Sequence, residues 1–196
     1  MTGGDAMGRA VVVIGASLGG LDALGVLLST LSASFPWPLA IVQHRSAEDV
    51  ADTLPLILQR RCALPVREAE DKDPMLDGHV YVAPPDYHLL VERAALALST
   101  EARVSLARPS IDVLFDSAVA AFGASVVAVV LTGASADGAQ GARLVKARGG
   151  TLLVQDPATA ESGVMPLAAI AAAKPDRVLP LAALGEYLNR LAAMRG

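Results

Sequence analysis

Several kinds of residue and segment are scarce in this 196-residue sequence, and each shortage excludes a class of protein. Cys62 is the one cysteine, so the chain cannot form an internal disulfide or a Cys-x-x-Cys metal site, which fits a reducing compartment. Lys and Arg number 16 against 20 Asp and Glu, and a net charge of −4 argues against nucleic-acid binding, which usually needs a basic face. No apolar run reaches the roughly 18–20 residues that cross a membrane.

The N-terminus also lacks the apolar stretch of a secretory signal, and residues 1–9 are expected to be a disordered tail. We therefore expect a cytoplasmic protein without membrane insertion. Hydrophobic residues make up 53% of the chain and charged residues 18%, which excludes disorder as the main state. Residues 10–196 are predicted to form one domain.

Short runs of β-branched apolar residues alternate along the chain with segments that have the spacing of amphipathic helices. The continuous runs predict strands buried on both faces of a sheet. These strands are predicted over 11–16, 39–44, 126–133, 151–156 and 177–181. Helices are predicted over 19–31, 47–61, 111–122, 137–150, 165–173 and 182–194.

Two details refine this pattern. Pro55 is expected to kink or restart the helix over 47–61, and Ser110 is a candidate N-cap for the helix that begins at Ile111. Residues 79–99 alternate and contain turn residues, which predicts an antiparallel hairpin region. The predicted fold is therefore α/β: a doubly wound, mostly parallel sheet with helices on both faces and an antiparallel hairpin region.

Reactive side chains occur where the predicted strands end. Ser17 follows the first strand, His44 ends the second, and Asp137 lies in the loop after the strand over 126–133. Ligands bind at the carboxyl edge of open parallel sheets, so these residues are expected to lie at one site. A hydroxyl, an imidazole and a carboxylate are the parts of an acyl-transfer triad.

Ser17 has the most specific local pattern. Residues 15–19 read Gly-Ala-Ser-Leu-Gly and fit G-x-S-x-G between a strand and a helix, the context in which that motif presents a nucleophile. The alternative is an ordinary N-cap serine in a glycine-rich turn. A dinucleotide-binding G-x-G-x-x-G is not present.

His44 is the histidine that ends a buried strand, whereas His79 and His88 fall in the hairpin region and are interpreted as structural or surface residues. Asp137 competes with Asp156, which ends another strand, and the residues alone leave that choice open. Asp137 could equally be a plain helix N-cap. No H-x-x-x-H or H-E-x-x-H spacing occurs, so no metal site is expected.

The sequence also contains seven ordered stretches of a known type: IGASLGG (14–20), VQH (42–44), GHVYVAPPDYHLL (78–90), RPSIDVLFDSA (108–118), LTGASADGAQG (131–141), GGTLLVQDPATAESGVMP (149–166) and RVLPL (177–181). Together they resemble the catalytic domain of the CheB family, the chemotaxis protein-glutamate methylesterases. The resemblance implies that Ser17 is the nucleophile, His44 the base and Asp137 the residue that orients the base. It also implies that the backbone N–H groups of Leu18 and Ala134 form the oxyanion hole.

The activity implied by the resemblance is hydrolysis of γ-glutamyl methyl esters to glutamate and methanol, without a cofactor. The implied partner is the helical cytoplasmic domain of methyl-accepting chemoreceptors, and related members also deamidate receptor glutamines. Two alternatives stay open: a serine hydrolase of small esters on the same triad, and a catalytically silent receptor-binding module.

Three features depart from the family pattern. Regulated members carry an N-terminal receiver domain, whereas about ten residues precede the first strand here, so a stand-alone catalytic domain is expected. Leu18 follows the nucleophile where threonine is common. Arg45-Ser46 replaces the usual Met-Pro after His44, which is expected to alter receptor docking.

Overall fold

A parallel sheet forms the centre of the structure. The computed structural model describes residues 10–195, so the tail predicted over 1–9 lies outside the described residues. The strands are β1 (Val11–Ala16), β2 (Leu39–Gln43), β3 (Val66–Glu68), β4 (Val80–Val82), β5 (His88–Val91), β6 (Leu96–Ser99), β7 (Val126–Val130), β8 (Thr151–Gln155) and β9 (Arg177–Leu179). The sheet has the order β3-β4-β2-β1-β7-β8-β9 with every neighbouring pair parallel, and β5 and β6 form a separate antiparallel hairpin.

Helices cover both faces of this sheet. They are α1 (Gly20–Ser29), α2 (Thr53–Gln59), α3 (Ile111–Phe122), α4 (Ala139–Ala147), α5 (Val164–Ala172) and α6 (Leu181–Arg195). The first, second and sixth helices pack into one hydrophobic core, and the other three pack with the hairpin into a second core on the opposite face. The predicted fold class, doubly wound and mostly parallel with an antiparallel hairpin, is confirmed.

The central strand β1 is buried on both faces, which explains its continuously apolar sequence. Val12 and Ile14 point into one core, whereas Val11 and Val13 point into the other, and all four are fully buried. Each such burial contributes about 1.5–3 kcal/mol to folding. A strand between two helix layers has no solvent face, so alternation of polar residues is absent.

The hairpin predicted over 79–99 is confirmed only for its later part. Its predicted first arm is β4, which pairs in parallel with β2 on one side and β3 on the other. The three residues of β4, Val80, Tyr81 and Val82, are fully buried. A strand of three residues with both neighbours distant in sequence carries too little pattern to distinguish parallel from antiparallel pairing.

The helix predicted over 47–61 is wrong in its first half, since α2 begins only at Thr53. The Arg45 guanidinium donates to the Val50 carbonyl at 2.9 Å, which holds this segment as a loop. Pro55 falls in the first turn of α2, where its missing N–H costs no hydrogen bond, so it neither kinks nor restarts a helix and that expectation is wrong. The short strand β3 was not predicted.

The strand register sets the position of the site. Ala16 pairs with Gln43, so the following residues, Ser17 and His44, leave the sheet side by side. β7 pairs with the other side of β1, and the loop after it carries Asp137. The chain leaves β1 for a helix on one face and β7 for a helix on the other. The crevice between these strands is therefore the switch point at which such sheets bind ligands.

Candidate active site

Ser17 occupies a sharp turn between β1 and α1. Its N–H donates to the Thr132 carbonyl at 3.0 Å, and its own carbonyl accepts the Gly20 N–H at 2.8 Å. Gly19 has φ +76°, a left-handed conformation that glycine adopts without strain. The turn leaves Ser17 half-buried at the carboxyl edge of the sheet.

Hydrogen bonds from the His44 backbone and from the Gln43 side chain join His44 to the serine turn. The His44 N–H donates to the Ala16 carbonyl at 2.9 Å. The side-chain amide of Gln43 donates to the carbonyls of Ser17 at 2.8 Å and of His44 at 2.9 Å. Gln43 therefore joins the two segments that carry the predicted nucleophile and base. Sequence reasoning missed it, although a polar residue that ends an apolar strand was an available signal.

The imidazole of His44 and the carboxylate of Asp137 are in direct contact. The His44 Nε2 and Asp137 Oδ2 atoms lie 2.7 Å apart, and the side chains are 17% and 0% exposed. Since Asp137 engages Nε2, the Nδ1 atom is the ring nitrogen that remains for another partner. The structure thus brings together two residues that lie 93 positions apart.

The first turn of α3 supplies most of the other hydrogen bonds to Asp137. Its carboxylate accepts the N–H groups of Ile111 at 2.7 Å and Asp112 at 3.1 Å, and the Ser110 hydroxyl at 2.9 Å. Burial alone would raise the pKa of Asp137, but the hydrogen bonds from His44, Ile111 and Asp112 outweigh it and lower the pKa. The carboxylate is therefore held in its ionised form at a helix N-terminus.

Ser110 stands at the predicted N-cap position of α3, but its hydroxyl does not cap the helix. The hydroxyl donates to Asp137, and it is the Asp137 carboxylate that accepts the N–H groups at the start of α3. Asp137 is also not the cap of the helix that follows it, because Gly138 holds that position with φ +91°. The alternative of a plain local cap is therefore wrong for Asp137.

Ile111 lies between the end of β1 and the loop that carries Asp137. A Cβ atom on Gly15 would overlap the Ile111 side chain, and one on Gly138 would lie 2.7 Å from its Cγ2 atom. Ile111 is fully buried. It therefore acts as a spacer between the strand that leads to Ser17 and the loop that carries Asp137.

Comparison with known proteins identifies the family. The model of the family described as CheB methylesterase matches residues 12–188. The chain belongs to the CheB methylesterase family. The resemblance stated from the sequence is confirmed, and with it the expectation of a methylesterase.

Individual relatives show how far the similarity extends. A protein of Leptospira interrogans, provisionally named protein-glutamate methylesterase/protein-glutamine glutaminase, is 44% identical over 94% of this chain and 96% of its own length. The Nocardioides sp. protein-glutamate methylesterase/protein-glutamine glutaminase is 45% identical over 96% of this chain but only 52% of its own length. The crystal structure of the Thermotoga maritima CheB methylesterase catalytic domain superposes with a TM-score of 0.90 at 34% identity, covering 93% of this chain and 98% of that one.

The loop after β7 of this CheB methylesterase is fastened to the start of α5. Gly133 donates its N–H to the Ser162 carbonyl at 3.1 Å and accepts the Met165 N–H at 2.9 Å. Among residues 10–195, neither the Leu18 N–H nor the Ala134 N–H donates a hydrogen bond. Both predicted oxyanion donors are therefore available to a ligand. Both residues are exposed.

Thr132 and Gln155 support the same loop, and sequence reasoning missed both. The Thr132 hydroxyl donates to the Leu18 carbonyl at 2.9 Å and accepts the Ser162 N–H at 2.9 Å. The Gln155 side chain accepts the Thr132 N–H at 2.9 Å. Gln155 is buried and Gln43 half-buried, and each is a polar residue at the end of an apolar strand, so the two glutamines share one sequence signal.

Asp156, the rival carboxylate, serves its own turn. Its Oδ1 atom accepts the Ala158 N–H at 3.0 Å, which caps the single helical turn over Pro157–Thr159. No hydrogen bond joins Asp156 to His44 in the part of the chain that the structure describes. Of the two carboxylates between which the residues alone left the choice open, Asp137 is therefore the one in contact with His44.

The other histidines have structural contacts, as interpreted from the sequence. The buried His88 accepts the Ser110 N–H through Nδ1 at 3.2 Å, and its Nε2 donates to the Ala102 carbonyl at 3.1 Å. The Nδ1 atom of His79 lies 2.9 Å from the Asp77 carbonyl oxygen.

Two cavities of about 370 Å³ each border His44. One is polar and includes Arg103 and Arg108, whereas the other is mainly apolar and includes Leu21 and Ile57. A substrate chain that crosses the site therefore meets surfaces of different character on the two sides of the imidazole.

Neither a metal site nor a membrane-spanning helix occurs within residues 10–195. No group of three or more His, Cys, Asp or Glu side chains has the arrangement of a metal site there. None of the helices in that range has the length and hydrophobicity to cross a membrane.

Proposed function

We propose that this chain hydrolyses γ-glutamyl methyl esters on methyl-accepting chemoreceptors, with residues 10–196 as the catalytic domain. Its family supports the ester chemistry, and its named relatives supply the protein-glutamate substrate class. The partner is the cytoplasmic helical domain of the receptor, which places the enzyme in the cytoplasm.

In the first step, Ser17 Oγ attacks the ester carbonyl while its proton passes to His44 Nδ1. The hydrogen bond between His44 Nε2 and Asp137 supports this assignment, because it keeps a proton on Nε2 and leaves Nδ1 as the base. The ionised, fully buried Asp137 then stabilises the imidazolium that forms. This inverts the ring orientation of serine proteases, in which Nε2 faces the serine.

The negative charge on the tetrahedral intermediate falls on the former carbonyl oxygen. The N–H groups of Leu18 and Ala134 stabilise that oxyanion, since they are unengaged and belong to loops that are fixed by Thr132 and Gly133. Fixed donors of this kind contribute about 2.7–4 kcal/mol each to lowering a barrier. Because backbone groups donate, side chains at these positions can vary.

Collapse of the intermediate breaks the bond to the methoxy group, and the His44 imidazolium returns its proton so that methanol leaves. A water molecule, activated by the same Nδ1 atom, then attacks the acyl-enzyme and releases glutamate and Ser17. A glutamine side chain follows the same route with ammonia as leaving group. The glutaminase activity in the names of the relatives supports this second substrate.

The observation that carries the proposal is the buried 2.7 Å contact between His44 and Asp137, next to the serine turn of a CheB methylesterase fold. The test is release of radiolabelled methanol from a methylated chemoreceptor. We expect the wild type to release methanol, and Ser17→Ala to lose activity by several orders of magnitude with a nearly unchanged unfolding midpoint, because only the hydroxyl is removed.

Each other outcome selects a different function. A Ser17→Ala variant with more than about a tenth of the wild-type rate would remove Ser17 from the mechanism. Hydrolysis of small chromogenic esters without methanol release from receptor would favour the small-ester hydrolase. Receptor binding without hydrolysis of either substrate would favour the silent binding module.

A further inference from the structure

Asp112 lies in the first turn of α3, and its side chain reaches the first turn of α4. Its Oδ1 atom accepts the Gly141 N–H at 2.7 Å. In the opposite direction, Asp137 precedes α4 and accepts the N–H groups of Ile111 and Asp112 in α3. The N-terminus of α3 therefore donates to a carboxylate that precedes α4, and the N-terminus of α4 donates one N–H to a carboxylate of α3.

The two helices touch where this exchange occurs. A Cβ atom on Gly141 would lie 2.5 Å from the Phe115 Cβ atom, so no side chain separates the helices there. The Asp112–Gly141 hydrogen bond thus joins two closely packed helices. Only three residues separate Asp137 from Gly141, so this bond also fixes the loop that presents the Asp137 carboxylate.

Two carboxylates, Asp112 and Asp137, lie close together at this exchange. Burial raises the pKa of Asp112, and the neighbouring Asp137 charge adds to that effect. Asp116 lies one turn further along α3. Asp112, Asp116 and Arg143 of α4 line one cavity of about 830 Å³. The partial positive charges of the two helix ends offset the repulsion between Asp112 and Asp137.

We propose that Asp112 is a positioning residue for the catalytic pair: through its hydrogen bond to Gly141 it holds the Asp137 carboxylate in contact with His44. Its kinetic consequence rests on the proposed function, whereas its consequence for the His44–Asp137 hydrogen bond does not.

The test compares Asp112→Ala, which removes the acceptor, with Asp112→Asn, which keeps an oxygen for the Gly141 N–H. Asp116→Ala is the matched control, because Asp116 lines the same cavity but accepts no such bond. We expect Asp112→Ala to lower kcat about tenfold to a hundredfold with KM within about twofold, since small misplacements of catalytic groups have effects of this size. Asp112→Asn and Asp116→Ala should stay within about threefold of the wild type.

The second readout is the proton NMR resonance of the His44 Nε2–H, which reports the contact with Asp137 without any substrate. We expect this resonance to move upfield or broaden in Asp112→Ala and to be retained in Asp112→Asn and Asp116→Ala. If Asp112→Ala fails to fold, Asp112→Ser takes its place, because serine is too short to span the same distance.

Two results would overturn the proposal. One is an Asp112→Ala variant with a lower melting temperature but an unchanged resonance and kcat, which would make Asp112 a purely structural residue. The other is equal impairment of Asp112→Asn and Asp112→Ala, which would implicate charge rather than the hydrogen bond. An inactive wild type would contradict the proposed function alone, since the resonance would still decide the role of Asp112.

Discussion

Asp137 and Asp156 follow neighbouring strands of one sheet, yet their surroundings differ completely. Asp137 is buried and accepts hydrogen bonds from His44, from the start of α3 and from Gly138, which lie on separate parts of the chain. Asp156 accepts one from Ala158, two residues away. A position after a strand end is therefore not enough to bring a carboxylate into contact with His44. A second element, here the α3 N-terminus, supplies the hydrogen bonds that hold the Asp137 carboxylate beside His44.

The largest expected difference between the two carboxylates is in the reaction rate. Asp137→Asn should lower kcat by about 10³–10⁴, because an amide would donate to His44 Nε2 and leave the proton on Nδ1, which could then accept none from Ser17. Asp156→Asn, the matched control, should change kcat less than about tenfold. Methanol release by both variants, with circular dichroism to verify folding, measures this. A crippling Asp156→Asn and a mild Asp137→Asn would reverse the assignment.

The second difference concerns stability and its dependence on pH. In the wild type the hydrogen-bond donors around Asp137 share its two carboxylate oxygens, whereas an amide at position 137 has only one acceptor oxygen. A buried N–H group of Ile111 or Asp112 would therefore lose its partner, which costs about 1–3 kcal/mol of stability. The pKa of Asp137 lies below its ordinary 3.8 in the folded protein. Its stabilisation is therefore present above that value and is lost as the pH falls through the lower folded pKa.

Denaturant unfolding of wild type and Asp137→Asn between pH 7 and pH 3 tests this prediction. The difference in unfolding free energy should be largest near neutral pH and should shrink below about pH 4. Asp112→Asn provides a contrast of opposite sign, because the pKa of Asp112 is raised by burial and by Asp137. Removing its charge should stabilise the fold near neutral pH and have less effect in acid. A difference for Asp137→Asn that stays constant with pH would contradict the argument.

The smallest expected effect belongs to Asp156→Ala. Loss of its cap on the turn over Pro157–Thr159 should cost about 0.5–1 kcal/mol of stability, with kcat unchanged. Thermal unfolding and methanol release measure the two quantities. A clear fall in kcat at full folding would show that the β8 turn contributes to catalysis, and the contrast between the two strand ends would weaken.

Much of the fold could be predicted because its central strands are unambiguous. Runs such as Val11–Ala16 and Val126–Val130 are apolar on both faces, which a surface strand or helix rarely is. The errors fall where local pattern is short or is overridden by distant contacts. Val66–Glu68 and Val80–Val82 have three residues each, and where a helix was expected from residue 47 the Arg45 side chain binds the Val50 carbonyl of a loop.

The candidate site divides in the same way. Ser17 and His44 could be named from strand ends alone, because parallel register guarantees that neighbouring ends meet. Asp137 could not be separated from Asp156 without the family resemblance, because the deciding contact is with a helix that begins 26 residues earlier. Gln43 and Asp112 act through partners distant in sequence, and no spacing rule identifies such pairs.

The spacer role of Ile111 has a consequence for how related sequences can vary. Gly15 and Gly138 face the same side chain from two directions, so a larger residue at either position leaves no room for isoleucine. Accepted changes at these three positions should therefore occur together, with a gain in volume at one matched by a loss at Ile111. Such coordinated substitution in an alignment would reflect the packing of Ile111 between β1 and the loop that carries Asp137.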